Sequence, residues 1–489
     1  MSNKDFMVKN GFQVYSNLVV GSYYATNAAP IGGAIISGNV GIGTANPILP
    51  LVVQNDLSST SFYANLNVPS SKPTLFLNFL SPNSQLDSRI NFSRSSQASA
   101  VSITGNIVLY SNNVPIYEYN PVTQSPLGLR IESGRTNYLG NNLSFGTNWG
   151  ASGSTINYAS SYSLDGSQNA SNVVITTTGG DTGYMQQTFS IITGGTTYYT
   201  TSIFAQYGNN TTINLYNFYI GTTTAANYVQ YNFSTGIVSA GTAEGPGVFP
   251  PFYGVTQYVN GWIRLWLTTY DPFGTNNSLI VRVYASTRGS AVSGTYTYYW
   301  GAQTEIGNYP TSLIYNPGSS SLSRSPDIAY ISPISSWFNP NQGTIKVSAM
   351  TNYLTPYGYQ NVAEIVTAST NSGIQISHLN VAGNPYNNVT VTTSNNSIIY
   401  SNSANSWNNS NVGTTTVTYQ QSTGIYASAF NLNVVNSTVN SSPLWSTTTP
   451  DTLNLGNHNQ TSNFLDGYIT SFSYYPTVQS NAIVQSFSL

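Results

Sequence analysis

Apolar residues in this chain come in short β-branched or aromatic runs that alternate with Ser, Thr and Asn and are broken by Gly, Asn and Pro. Side chains at every second position share one side of a pleated strand, and the interrupting residues are those that tight turns require. The pattern predicts an all-β protein. Charge narrows the possibilities: only 5% of the 489 residues are charged and the formal net charge is -2, against roughly 25% charged residues in an ordinary soluble domain. Aromatics reach 13%, and a chain with that much apolar surface and so little net charge is not a disordered tail. No basic residue follows Lys346. A face that neutralises phosphates is therefore not expected, nor is nucleic acid as a partner.

Cysteine is absent, so burial, hydrogen bonding and oligomerisation have to hold the fold without disulfides. The opening MSNKDFMVKNGF has no apolar stretch of the secretory kind, and the segment from Ala28 to Gly43 is too rich in Gly to cross a membrane as a helix. The expectation is a protein made in a cytoplasm and used outside it, with no membrane insertion.

Four stretches follow from the run and turn pattern. Residues 1–55 hold two Gly- and Asn-rich phrases, Val8 to Val14 and Gly38 to Thr44, whose apolar runs are too short to close a core alone. They read as an N-terminal β stalk or docking segment, with the missing apolar partners supplied by other copies of the chain. Residues 56–145 read as a small β connector. Residues 146–316 carry turn signals at the spacing of a β-sandwich, and residues 317–489 read as a second sandwich with almost no charge.

Ionisable residues concentrate in the connector: Asp87, Arg89, Arg94, Glu118, Arg130, Glu132 and Arg135. Arg130 and Glu132 have the same parity and share a strand face if the segment is extended, and Arg forks suit buried carboxylates. Arg130, Glu132 and Arg135 are accordingly expected to form structural ion pairs and not a catalytic group. In Trp262 to Leu267 the faces separate: Ile263, Leu265 and Leu267 on one, Trp262, Arg264 and Trp266 on the other. The aliphatic face is the expected core. The other row is either a platform for flat sugar faces, which makes Trp262, Arg264 and Trp266 glycan-binding candidates, or a row covered by a second sheet, and burial is the rule for large apolar side chains.

Inventory excludes most chemistry. There is no Cys, and the two histidines, His378 and His458, have few acids near them in sequence, which leaves no nucleophilic triad and no zinc set. Glycoside cleavage needs only two carboxylates, yet nothing in the spacing of Glu118, Glu132, Asp181, Glu244 and Glu305 selects a pair. Glu305 reads as a structural hydrogen-bond acceptor and Asp165-Gly166 as a turn. Neither a cofactor nor a metal is expected, and the chain reads as a non-enzyme.

Three phrases, Arg89 to Ser96, Tyr117 to Val122 and Leu127 to Asn137, resemble a module of bacteriophage tail-fibre and head-spike-fibre proteins with the approximate form F-T-R-A-S, D-P-x-T and L-G-L-L-I-E-x-x-R-T-N. The likeness continues through Ser163 to Ser167, Gly261 to Arg264 and Trp300 to Gly307 with Pro310 to Ser312, where the family has a jelly-roll sandwich similar to carbohydrate-binding modules. Ser323 to Asp327, Leu455 to Asn457 and Leu465 to Pro476 resemble the laminin-G or concanavalin-like sandwich that often follows. Together these phrases span about residues 80–489. The chain departs from the family at Ser133 and Gly134, where a second acidic residue is commoner, and in lacking the Asp-rich loops by which some relatives hold calcium.

The resemblance implies a virion fibre or spike with a structural and receptor-binding role, exposed on the particle surface. Lys4, Asp5 and Lys9 give the N-terminal segment directional charge contacts, so residues 1–55 are the expected attachment to other virion proteins. Host cell-surface polysaccharide is the implied ligand, bound without cleavage. A capsid decoration or head-fibre protein, and a polysaccharide depolymerase tailspike, are the alternatives. A stalk that cannot enclose a core alone, together with the habit of the family, predicts a homotrimer. Light scattering of the full-length chain at low micromolar concentration should give three times 52.6 kDa. A stable monomer that keeps its strand-type circular dichroism over residues 1–55 would remove the basis for it.

Overall fold

The computed structural model describes residues 72–488, leaving aside 82–84, 246–251, 353–357, 368–372, 382–383, 393–397, 406–410, 432, 434–435 and 440–448, together with the backbone of four strands before residue 65. Those strands lie in a compact unit that runs from Met1 to Ser70, and Ser71 to Leu489 forms another. In the first, Leu18–Val20 pairs in parallel with Ala34–Ile36, and Leu51–Asp56 forms a hairpin with Ser59–Ala64. The rest of the expected stalk lies outside the described residues.

The described chain is nearly all β, as the alternating pattern predicts. In the larger unit two sandwiches are built from non-consecutive strands. Six-stranded sheets, one ordered Gly150–Ser152, Tyr184–Ser190, Ser278–Tyr284, Thr212–Ile220, Ala225–Asn232, Val238–Glu244, and the other Ser154–Ser161, Ala170–Ile175, Tyr296–Ile306, Tyr199–Gln206, Trp262–Thr269, Phe252–Gln257, make the first sandwich. Ile203, Leu215, Val229, Leu265, Val281 and Val283 meet between them. Strand Trp262–Thr269 follows its sequence pattern, with Ile263, Leu265 and Leu267 in this core.

The second sandwich differs from the expected division into connector and terminal domain. Its larger sheet centres on Gly467–Tyr475, which pairs with Gln342–Thr351 and also with Leu75–Asn78 and Pro126–Ile131. Its other sheet takes Asn91–Ser93 at one edge, beside Ile328–Ile331. Leu75, Leu77, Leu129 and Ile131 share one core with Ile345, Val347, Leu453 and Phe472. Most strands of residues 72–131 therefore belong to the terminal sandwich. The short, half-polar runs there cannot bury an apolar face alone, and partners more than 300 residues later complete it.

It follows that the first sandwich is inserted into the second. Entry and exit lie side by side, because Arg135–Asn137 pairs antiparallel with Leu322–Arg324. A chain ending at residue 316 lacks Gly467–Tyr475 and should leave residues 72–131 protease-sensitive and the product aggregation-prone, while residues 138–321 alone should unfold cooperatively because their core is self-contained. Protection of residues 72–131 in the truncated chain, measured by hydrogen exchange, would contradict the insertion.

Candidate functional site

Where the two sandwiches meet, the chain gathers much of its scarce charge. Arg130 is fully buried and its guanidinium lies 3.1 Å from Glu118 and 3.3 Å from Glu132. Glu132 is also 3.2 Å from Arg324, which belongs to the returning strand. Arg94 and Asp327 form a further buried pair at 2.9 Å, and the Glu132 backbone N–H donates to Asp327 Oδ2 at 3.0 Å. Arg135, the third expected partner, sits apart from this pair. It is 3.7 Å from Glu305 and 3.9 Å from Asp466, while its Nη2 donates to Tyr309 Oη at 3.1 Å. Asp466 also accepts from Ser133 N–H at 2.6 Å and from the Tyr309 hydroxyl. Sequence parity placed Arg130 beside Glu132, but nothing local signalled Arg324, Asp327 or Asp466, which arrive from distant segments.

The two glutamates respond oppositely. Burial raises the Glu118 carboxyl above its ordinary value, ahead of the opposing attraction of Arg130. Burial also acts to raise Glu132, but Arg130, Arg324 and two donors from Ser312 outweigh it and bring Glu132 down to about 2. Glu305 behaves as an acceptor: Thr311 N–H donates to Oε1 at 2.8 Å, Thr311 Oγ1 to Oε2 at 2.7 Å and Gln303 Nε2 to Oε1 at 2.8 Å. Asp165 accepts from Ser167 N–H at 2.8 Å across its turn.

The tryptophan row is buried: Trp262 is 2% exposed and Trp266 7%. What covers it is not the facing sheet of its own sandwich. Trp262 packs with Ile107 of the hairpin Ala98–Val101/Ile107–Tyr110, with Leu164, and with Leu313 of the returning segment. Trp266 and Arg264, by contrast, line a cleft of about 520 Å³ between the two sandwiches. The volume is that of small-molecule sites, roughly 300–1,000 Å³. Gly254 stands opposite Trp266 on the edge strand, and a Cβ there would come within 2.9 Å of the indole. The missing side chain is what lets the ring lie across that edge. Tyr258, Thr256 and Gln257 line the cleft on the inserted-sandwich side, and Asn120, Asn352 and Tyr468 on the terminal-sandwich side. Glu118 and Glu132 line it too, with their oxygens held by Val101 N–H, Tyr468 Oη, Ser312 and the arginines.

Folding also brings together groups that look isolated in sequence. His458 Nδ1 lies 2.7 Å from the buried Glu364, and that bond raises its pKa despite partial burial. His378 is fully buried and lowered to about 4 by that burial. Among the described residues no group of three or more His, Asp or Glu is placed to hold a metal ion, and no helix is long and apolar enough to cross a membrane.

No protein-family model and no curated protein matches the sequence. Solved structures similar to it include the CBM40 module of an IT-sialidase from Ruminococcus gnavus bound to α2,3 sialyllactose, at 14% identity over 31% of this chain and 84% of that one, with a TM-score of 0.27. The NanB sialidase from Streptococcus pneumoniae matches at 15% identity over 32% of this chain and 26% of its own, TM-score 0.28. The receptor-binding domain of botulinum neurotoxin type G matches at 12% identity over 32% and 38%, TM-score 0.25. Each likeness covers under a third of this chain, and the ligand of each is a fact about that protein alone.

Glu132 binds its proton less firmly in the folded chain than the ordinary 4.5, so its stabilising contribution is complete above 4.5 and is lost as pH falls through about 2. That loss should approach about 3 kcal/mol in acid denaturation. Glu118, raised by burial, opposes it, and Glu118→Gln should expose the Glu132 contribution by itself. Arg130→Ala at pH 7 should cost roughly 3–5 kcal/mol in urea unfolding, because two buried carboxylates lose their shared cation. A cost below about 1 kcal/mol would show that the network is screened as surface pairs are.

Proposed function

We propose that the chain is a virion fibre or spike of a bacteriophage that binds host-surface glycan without cutting it. The observation that carries the binding part is the cleft: an indole and a phenol ring stand beside Asn120, Thr256 and Gln257, and apolar ring faces next to short amide and hydroxyl groups suit the two surfaces of a sugar. The virion part rests on the phrases around Arg94, Glu132 and Asn137 and on the sandwich-rich, cysteine-free chain. Residues 1–55 would dock on the particle and assemble three copies. Multivalency would then raise weak single-site affinity by a factor of about 10² to 10⁴.

One observation favours the depolymerase reading, since two glutamates with opposite pKa shifts line the same cleft. Against it stands their surroundings. Glu132 accepts from Ser312 N–H and Oγ and faces two arginines, and Glu118 accepts from Val101 N–H, Arg130 and Tyr468. Carboxylates fixed this way cement the junction, and general-acid work would require breaking those bonds.

The two tryptophans separate binding from stability. Trp266→Ala should weaken binding to host cells or their polysaccharide by about tenfold or more while the protein stays folded. Trp262→Ala should cost roughly 3–5 kcal/mol of stability and leave the affinity of the folded fraction unchanged. Equal affinity for wild type and Trp266→Ala would remove the cleft as the binding site. New reducing ends released from polysaccharide by the pure protein would establish cleavage. Electron microscopy of virions labelled against this chain should show it on the tail, and label on the head would assign it to capsid decoration.

A further inference from the structure

The chain has eight arginines, and seven of them lie within 4 Å of a carboxylate. Arg89 pairs with Asp87, Arg282 and Arg288 with Asp181, and four more join the junction network. Arg264 is the exception among the described residues. It is 6% exposed and lines the cleft. Its Nε and Nη2 donate to Ser202 Oγ at 3.2 and 2.9 Å, its Nη1 donates to the Thr311 carbonyl at 2.7 Å, and the Phe204 ring centre is 5.2 Å from Cζ. All of these partners are neutral. A guanidinium carries five N–H donors, so one on Nη1 and one on Nη2 are left for a ligand.

A charge taken out of water is costly unless an opposite charge meets it. The other seven arginines obey that rule within the protein. We infer that Arg264 obeys it through its ligand: the cleft takes an acidic saccharide, a uronic or sialic type of sugar, whose carboxylate accepts from the Arg264 guanidinium. The inference rests on the glycan-binding reading of the cleft and adds the class of sugar. Glu118 and Glu132 line the same cleft, but neither is within 4 Å of Arg264; both are already ion-paired with other arginines and accept from neutral donors. Each carboxylate is matched to another cation, which leaves the positive charge of Arg264 as the unmatched one facing the cavity. Trp266 and the amides of Asn120 and Gln257 would meet the uncharged remainder of the sugar.

The test uses the full-length chain on an array of uronic- and sialic-acid glycans, each paired with the same glycan after its carboxylates have been reduced to alcohols. Reduction should lower affinity by about tenfold or more, the loss expected for one charge-assisted contact. Raising salt from about 0.05 to about 0.5 M should weaken the acidic member of each pair and leave the reduced member unchanged. Arg264→Gln should bring the acidic glycan down to the affinity of its reduced form. If that variant fails to fold, the reduction and salt comparisons on the wild-type chain decide the matter. Equal binding of both members overturns the acidic-sugar inference and leaves glycan binding standing. Binding to none of the glycans, acidic or reduced, overturns both.

Discussion

Arg130 is the contact on which the architecture turns. Its side chain has no exposure, and the two glutamates that neutralise it come from strand Tyr117–Tyr119 and from the residue that follows the neighbouring strand Pro126–Ile131. One of them, Glu132, also accepts from the segment that returns from the inserted sandwich and faces Arg324 on the exit strand. A single charge cluster thus ties outgoing chain, returning chain and terminal sandwich together. Replacing such a cluster with apolar residues of equal volume often leaves stability unchanged. Its value is then directional: hydrophobic packing would accept several relative placements of two smooth sandwiches, whereas guanidinium forks accept few.

The same arrangement explains an odd composition. Charged residues usually coat a protein and are rarely fully buried. Here Arg94, Arg130, Glu132, Glu305, Arg324 and Asp327 are all at most 3% exposed, so the little charge the chain has is used inside. On the sheets, cross-strand hydroxyl pairs such as Thr344–Thr418 at 2.8 Å and Ser348–Thr414 at 2.9 Å take the place of ion pairs. Such ladders satisfy one another without long side chains and depend little on ionic strength.

Strands and faces were legible in the sequence because both depend on neighbours two residues away. The division of Trp262 to Leu267 into an aliphatic and an aromatic face is local and appears intact in the fold. What covers the aromatic face is not local. Ile107 and Leu313 reach Trp262 from about 155 residues before and 51 after it by sequence number, and no pattern in any one segment announces that meeting. The domain boundaries were hidden for the same reason. Strand Leu75–Asn78 lies in the expected β connector, but its partner, Ser471 to Tyr474, lies at the far end of the chain. Gly134 likewise has a cause visible only in three dimensions: a Cβ there would come within 3.2 Å of the Arg324 carbonyl and of Pro326.

A cleft with walls from three separate stretches exists only when those stretches are docked. Asn120, which follows strand Tyr117–Tyr119, and Tyr468 come from distant parts of the terminal sandwich, and Trp266 comes from the inserted one. Tyr468 donates to Glu118 at 3.2 Å, and Glu118 accepts from Arg130, so Glu118 and Glu132 belong both to the charge cluster and to the cleft wall. A ligand held there binds the docked arrangement and not the undocked one. Mass action then makes ligand stabilise the junction by RT ln(1 + [L]/Kd), and by the same linkage any change that loosens the junction weakens the ligand. If the cleft binds glycan as proposed, that coupling joins adhesion to rigidity: the bound state is also the state in which the two sandwiches are most firmly fixed to each other.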